Sequence, residues 1–483
     1  MNSPLFSLLD EAAWHESVRR RELRRCSVAL AQLANKIQVT EDFASDTPEK
    51  LAKVIRVTAE LLGESLETIT PAQDLEHVNT ILGIITSHLR YVERARVAQI
   101  PWSIIQSTEK LLKLVADPKG NFIIRPTWGY NYSIIGEFAN FYREFLSCWP
   151  WFPFAKWEKL VGFSQDESIY CISFPRIERM NCLLHSNWGH EVGHILAARW
   201  VNADFGAAWA KDEAKIKQEI EDHVNKNPPP IDPLFKAMAI QGIVANQMRA
   251  TMEAAKQGLT ELLCDRVGVH ILGPSALAAS MEFAARFAKD VSPLQSLSYP
   301  PWRYRLRKML EHCEPDLNDH SEIGYPNSDI KAFVEWLRLG QRLTASKGDL
   351  QVIESNVITR GAYRFIIAHW DEAALKVTSM LPSELAQPYR LHEHHAHICE
   401  LVGRLRNGIP PNEISYLSEE PASMQDILAA AWTYKMDQIA QSSWGTPDEY
   451  ELLFQLVLKA CETSYVHSEW GPKIKAGEHE HNI

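Results

Sequence analysis

Apolar residues recur three and four positions apart along most of this chain, the spacing that gives a helix one buried face. Leu5, Leu8, Leu9, Ala12 and Ala13 set the pattern first, behind Ser3-Pro4, and predict a long amphipathic helix. Thr47-Pro48 and Thr70-Pro71 repeat that opening: a capping residue, then a proline that suits a first helical turn. Residues 1–100 therefore read as a helical unit that closes at Ile100-Pro101. Strand-like patterns concentrate between 119 and 176, where Phe122-Ile123-Ile124 is one apolar run and Ser168 to Phe174 another, stopped by Pro175. The Lys/Glu mixture from Lys211 to Asn227 reads as an exposed helix ending at Pro228-Pro229-Pro230. A helix over 233–256 then leads to a second, apolar one that Gly273-Pro274 terminates. Beyond residue 316 the pattern predicts helices over 328–346, 350–378, 382–406, 422–441 and 447–466, with no repeat period. The fold class is mainly α with a small β-sheet.

Length suggests three domains at about 150 residues each, placed at 1–100, 101–315 and 316–483. A formal net charge of −11 argues against nucleic acid and anionic membranes as partners. The basic runs Arg19-Arg20-Arg21 and Arg24-Arg25 read as one solvated helix face. No run of apolar residues is long enough to insert in a membrane, and the first residues lack the cationic start and apolar stretch of a signal peptide. Eight cysteines without a CxxC pair suit a reducing compartment. The expected location is cytoplasmic.

One stretch carries chemistry. His190-Glu191-Val192-Gly193-His194 is an HExxH pattern. Four residues apart on a helix, His190 and His194 point at one metal ion, and Glu191 sits about 100° round the turn, within reach of a water on that metal. The flanking Trp188, Gly189, Val192, Gly193, Ile195 and Leu196 are uncharged, as a helix running through the interior requires. Zinc needs a third protein ligand. A histidine six residues beyond the second is one solution, but Trp200 occupies that position. Thr260-Glu261-Leu262-Leu263-Cys264-Asp265 offers another, with two carboxylates one turn apart on a helix otherwise so apolar that they need a reason to be there. Glu261 is the candidate ligand, and Asp265 the acceptor that would fix the tautomer of a ligand imidazole. Cys264 reads as a small buried apolar residue.

HExxH followed by ExxxD resembles the signature of the gluzincin metallopeptidases, the thermolysin-like group and the CaaX-type proteases. The resemblance covers about residues 183–200 and 259–272. It implies one Zn²⁺ held by His190, His194 and Glu261, with Glu191 as general base and Asp265 behind a ligand histidine. It also implies a zincin-like catalytic domain flanked by helical ones, and a protein or peptide substrate. Thr260 and Cys264 depart from the thermolysin-like pattern, which has Asn and Ser there, and the CaaX-type enzymes are membrane-embedded. The chain thus reads as a divergent gluzincin, a zinc metalloendopeptidase. The competing reading is an inactive or structural-zinc fold serving as a cytosolic regulatory or interaction module.

Peptide hydrolysis also needs a donor for the developing oxyanion. Tyr299, in the Pro-Pro turn that carries Arg303 and Arg305, is the candidate. In gluzincin-like folds a strand edge pairs with the extended substrate, and 168–174 and 121–134 are the candidates here. The aromatics between Trp128 and Trp157 read chiefly as core. His392, His394, His395 and His397 include pairs three apart, but without a carboxylate at HExxH spacing they read as a solvated face. The tail from His479 reads as disordered.

Overall fold

The computed structural model describes residues 8–40, 42–69, 72–116, 120–164, 167–228, 230, 235–286, 299–318, 330–345, 353–415, 418–441 and 445–480. Two compact units emerge, one of residues 1–113 with 117–179, the other of 114–116 with 180–483. Helices dominate, with a small sheet in each unit.

In the first unit, α1 (Leu8–Thr40), α2 (Thr47–Ser65) and α3 (Ala72–Arg94) pack around one core. Leu30, Ala34 and Ile37 of α1 meet Leu51, Ile55 and Leu62 of α2 and Val78, Ile81 and Ile85 of α3, all buried at helical spacing. Each leucine, isoleucine or valine among them contributes about 1.5–3 kcal/mol by leaving water. Asp46 occupies the cap position of α2, so Thr47 and Pro48 already belong to its first turn, one place further in than the sequence suggests. Thr70-Pro71 and the segment from Ser3 to Leu5 lie outside the described residues. α4 (Trp102–Ala116) leads toward the sheet.

Strand β1 (Gly120–Thr127) pairs in parallel with β3 (Ser168–Pro175), Phe122 opposite Tyr170 and Ile124 opposite Ile172. The short β2 (Ser133–Ile135) pairs antiparallel with the other side of β3. β3 is therefore the central strand, flanked on both sides over Cys171–Ser173, and not the free edge its sequence suggested. Between β2 and β3, α5 (Phe138–Ser147) and α6 (Phe154–Val161) bring Phe138, Tyr142 and Trp157 into the core, while Trp128 stays 73% exposed.

The second unit opens with α7 (Trp188–Trp200), continues through a π-helical turn at Val201–Phe205 and becomes α8 (Gly206–Lys226). The two helices expected between 233 and Gly273 are a single one, α9 (Lys236–Leu272), since no proline or exposed turn interrupts it. Gly273, at φ 54°, ends it, and Pro274 starts α10 (Pro274–Arg286). Then come α11 (Trp302–Asn318), α12 (Lys331–Thr344), α13 (Val357–Thr378), α14 (His395–Arg406), α15 (Met424–Ala440) and α16 (Pro447–Glu480). The helix expected from 382 starts only at His395, because Pro388 cannot donate to a helical ladder. The pair β4 (Glu413–Ser415) and β5 (Ser418–Pro421), short and polar, has no counterpart in the sequence reading. α16 runs past its expected end at 466, through the tail to Glu480. No helix among the described residues is long and apolar enough to cross a membrane.

Candidate metal centre

Two helices make the site, and glycines decide how closely they meet. Gly189 and Gly193, four apart on α7, face Gly268 and Cys264, four apart on α9. A Cβ on Gly193 would stand 2.6 Å from the Cα of Cys264, and one on Gly189 would stand 3.0 Å from the Cα of Gly268. The backbones thus touch where an ordinary side chain would hold them apart. His190 and His194 each follow one of these glycines, so the contact carries both rings to the carboxylates of α9.

His190 is gripped from behind. Its Nδ1 lies 2.8 Å from Oδ1 of Asp265, while its Nε2 lies 3.3 Å from Oε2 of Glu261. Nε2 of His194 is 3.9 Å from Oε1 of the same carboxylate. Four ligands at about 2.0–2.2 Å around zinc stand about 3.3–3.5 Å from one another, so these separations suit a shared ion with shifts of a few tenths of an ångström. Oε2 of Glu261 is sealed from solvent and accepts no hydrogen bond among the described residues. The two oxygens of this one buried carboxylate thus each face an imidazole, and Oε2 also faces the guanidinium of Arg305.

Arg305 completes the arrangement. From α11 its Nε and Nη2 reach Oδ2 and Oδ1 of Asp265, each at 2.7 Å, a two-pronged grip, and its Nη1 lies 3.6 Å from Oε2 of Glu261. The guanidinium is buried, 4.4 Å from the ring centre of Trp302 and 5.2 Å from that of Tyr299. Tyr299 is 47% exposed, yet its hydroxyl turns inward to Glu261. Comparisons with protein-family models, curated proteins and solved structures return no match. The chemistry rests on the residues themselves.

Burial opposes charge on His190, but the carboxylates of Asp265 and Glu261 prevail and push its pKa up to about 10. Burial takes His194 the other way, down to about 4, helped by the positive His190 and Arg305. Glu261, despite burial, is held well below the usual carboxylate range by His190 and Arg305. Asp265 is also held low, with Arg305 and His190 outweighing burial. Burial raises the Tyr299 phenol, and the negative Glu261 adds to it, so its hydroxyl keeps its proton. The site therefore offers an ionised carboxylate, an imidazole with a free lone pair, and a second imidazole oriented by Asp265.

The structure brings His190, His194, Glu261, Asp265 and Tyr299 together, and Glu191 lies buried in the first turn of α7. Arg305 entered the sequence reading beside Arg303 with nothing to single it out. Cys264 also turns out to be a neighbour, since it forms with His190 and His194 a group whose ligand atoms lie within 4.8 Å of one another. Burial pushes its thiol well above the ordinary range, and Glu261, Asp265 and Glu191 push further, so without a metal it stays protonated. Glu261, by contrast, is already ionised.

Proposed function

We propose that this chain is a zinc-dependent peptidase with a zincin-like catalytic site on α7 and α9. The observation that carries this reading is the convergence of His190, His194 and Glu261, each oxygen of that carboxylate facing one of the rings. Those three residues would hold the ion. Bound there, zinc supplies Lewis acidity and lowers the pKa of water toward neutrality.

The chain's own groups do the rest. Nδ1–H of His190 donates to Asp265, which turns Nε2 toward Glu261 and the ion they would share. Arg305 keeps Asp265 ionised and fixed. Glu191, within the site but not a ligand, accepts a proton from the attacking water and returns it to the leaving amine. The hydroxyl of Tyr299, protonated and turned to Glu261, would donate to the substrate carbonyl oxygen in exchange for that contact. A structural ion has no use for a buried carboxylate such as Glu191 beside its ligands, which favours catalysis over an inert module.

Metal content and peptidase activity of wild type, Glu191→Gln and His190→Ala test this. One zinc should be lost on His190→Ala. Glu191→Gln should keep the metal and lose about 10²–10⁴-fold in kcat, the usual weight of a general base. A Glu191→Gln chain cleaving at the wild-type rate refutes the base, and zinc content unmoved by His190→Ala refutes the site.

A further inference from the structure

A second histidine cluster lies in the second unit. His394 caps α14, His397 lies in its first turn, and Asp426 lies in the first turn of α15. Nδ1 of His394 is 2.8 Å from Oδ1 of Asp426, and Nδ1 of His397 is 3.9 Å from Oδ2. Both Nδ1 atoms are shielded from solvent, yet neither makes a hydrogen bond among the described residues. Two shielded imidazole nitrogens thus turn toward one carboxylate, that of His394 at ion-pairing distance and that of His397 farther off.

The carboxylate is held ready. The hydroxyl of Tyr389 donates to Oδ1 at 2.8 Å, and the backbone N–H of Asp426 donates to Ser423 Oγ at 3.0 Å. Tyr389 is pinned in turn. Its N–H donates to the carbonyl of His270, its ring packs against Gly273, and it stacks on His394 at 4.5 Å. Asp426 is buried, while His394 and His397 keep partly exposed outer faces, which leaves an entry path. Ligand-to-ligand distances of about 3.3–3.5 Å around a tetrahedral ion fall between the two observed ones.

We propose that His394, His397 and Asp426 form a second metal site, for a divalent ion of the zinc class, that clasps the start of α14 to the start of α15. Two imidazoles and one carboxylate select such an ion over calcium or magnesium, which prefer all-oxygen shells. Asp426 would be oriented by Tyr389 much as a ligand imidazole is oriented by an outer carboxylate. The site stands independently of the catalytic reading, since it uses none of His190, His194 and Glu261.

Zinc titration by calorimetry into the full-length chain, prepared without a histidine tag, tests the proposal. The background is His190→Ala/His194→Ala, with or without His397→Ala. His397 is 43% exposed, so its removal leaves the fold intact, which circular dichroism checks. One equivalent binding at micromolar or tighter in the background, and lost with His397→Ala, is the expected result. Tyr389→Phe should keep that equivalent and weaken it about 10-fold. No such equivalent in the background, or one that survives His397→Ala, overturns the site.

Discussion

Gly193→Ala tests the foundation of the metal centre, because it adds one methyl group and removes no ligand. The new Cβ would stand 2.6 Å from the Cα of Cys264, 2.9 Å from its carbonyl oxygen and 3.1 Å from its Cβ. Carbon atoms pack at about 3.5–4.0 Å, so α7 must retreat from α9 by about 1 Å. The two nearest atoms are backbone, so no side chain can turn aside. The clash therefore belongs at the upper end of overpacking costs, about 3 kcal/mol. Alanine returns about 1 kcal/mol through its better helix propensity, which leaves a net loss of about 2 kcal/mol. The same retreat widens the gap between His194 and Glu261, already 3.9 Å, past what one ion bridges. Zinc affinity by chelator competition should fall about 10–100-fold, the range seen when ligand orientation is lost. Cys264→Ala should not rescue it, since the backbone contacts remain. Gly83→Ala is the control, with nothing within 4 Å of its Cβ, and should be neutral or stabilising. A Gly193→Ala chain as stable as wild type, with unchanged zinc affinity, refutes the close-packing argument.

Further outcomes follow from other contacts. Glu261→Ala should abolish tight zinc binding while Cys264→Ser leaves it near wild type, and the reverse, read by equilibrium dialysis, would transfer the third ligand to Cys264. Arg305→Met leaves the buried Asp265 with His190 alone and should cost about 3 kcal/mol in denaturant unfolding, whereas Asp265→Asn should weaken zinc about 10–100-fold; full stability of the first variant would deny the pairing its role. Nδ1 of His88 hydrogen-bonds with the hydroxyl of Tyr142 at 2.8 Å among the rings of Tyr91, Phe138 and Phe141, and burial lowers its pKa to about 4. The unfolded chain, near the ordinary 6.5, takes the proton first, so stability present above pH 6.5 is lost as pH falls toward 4, by up to about 3 kcal/mol. His88→Gln should flatten that part of the stability–pH curve, and an unchanged slope would count against it.

The two residue pairs of the candidate metal centre were legible because they obey a local rule. His190 and His194, and Glu261 and Asp265, are each four apart on one helix face, and helical geometry does the rest. What joins the two pairs is not local. Gly189, Gly193, Cys264 and Gly268 carried a readable signal, small residues four apart on both helices, yet only packing shows that they face one another. Arg305 was one of two arginines in its turn, and its choice of Asp265 depends on how α11 lies against α9. Asp426 was out of reach for the same reason, because the histidines it meets lie on another helix and the sequence offered no spacing to connect them. The apolar runs of β1 and β3 announced strands, but their parallel pairing across an intervening helix pair did not follow from pattern alone. Polar β4 and β5 gave no strand signal at all.

Charge links these pieces into one argument. Glu261 and Asp265 are both ionised in a setting where an uncompensated buried charge is costly. Arg305 offsets one of them. A proton on His190 offsets the other, which is why its pKa is driven so far up. A divalent ion held by His190, His194 and Glu261 would take the place of that proton and bring one positive charge more than it displaces. The site then needs a further carboxylate close to the ligands, and Glu191, buried on the first turn of α7, is where that requirement falls. The residue best placed to balance the ion is thus the one assigned to move the proton.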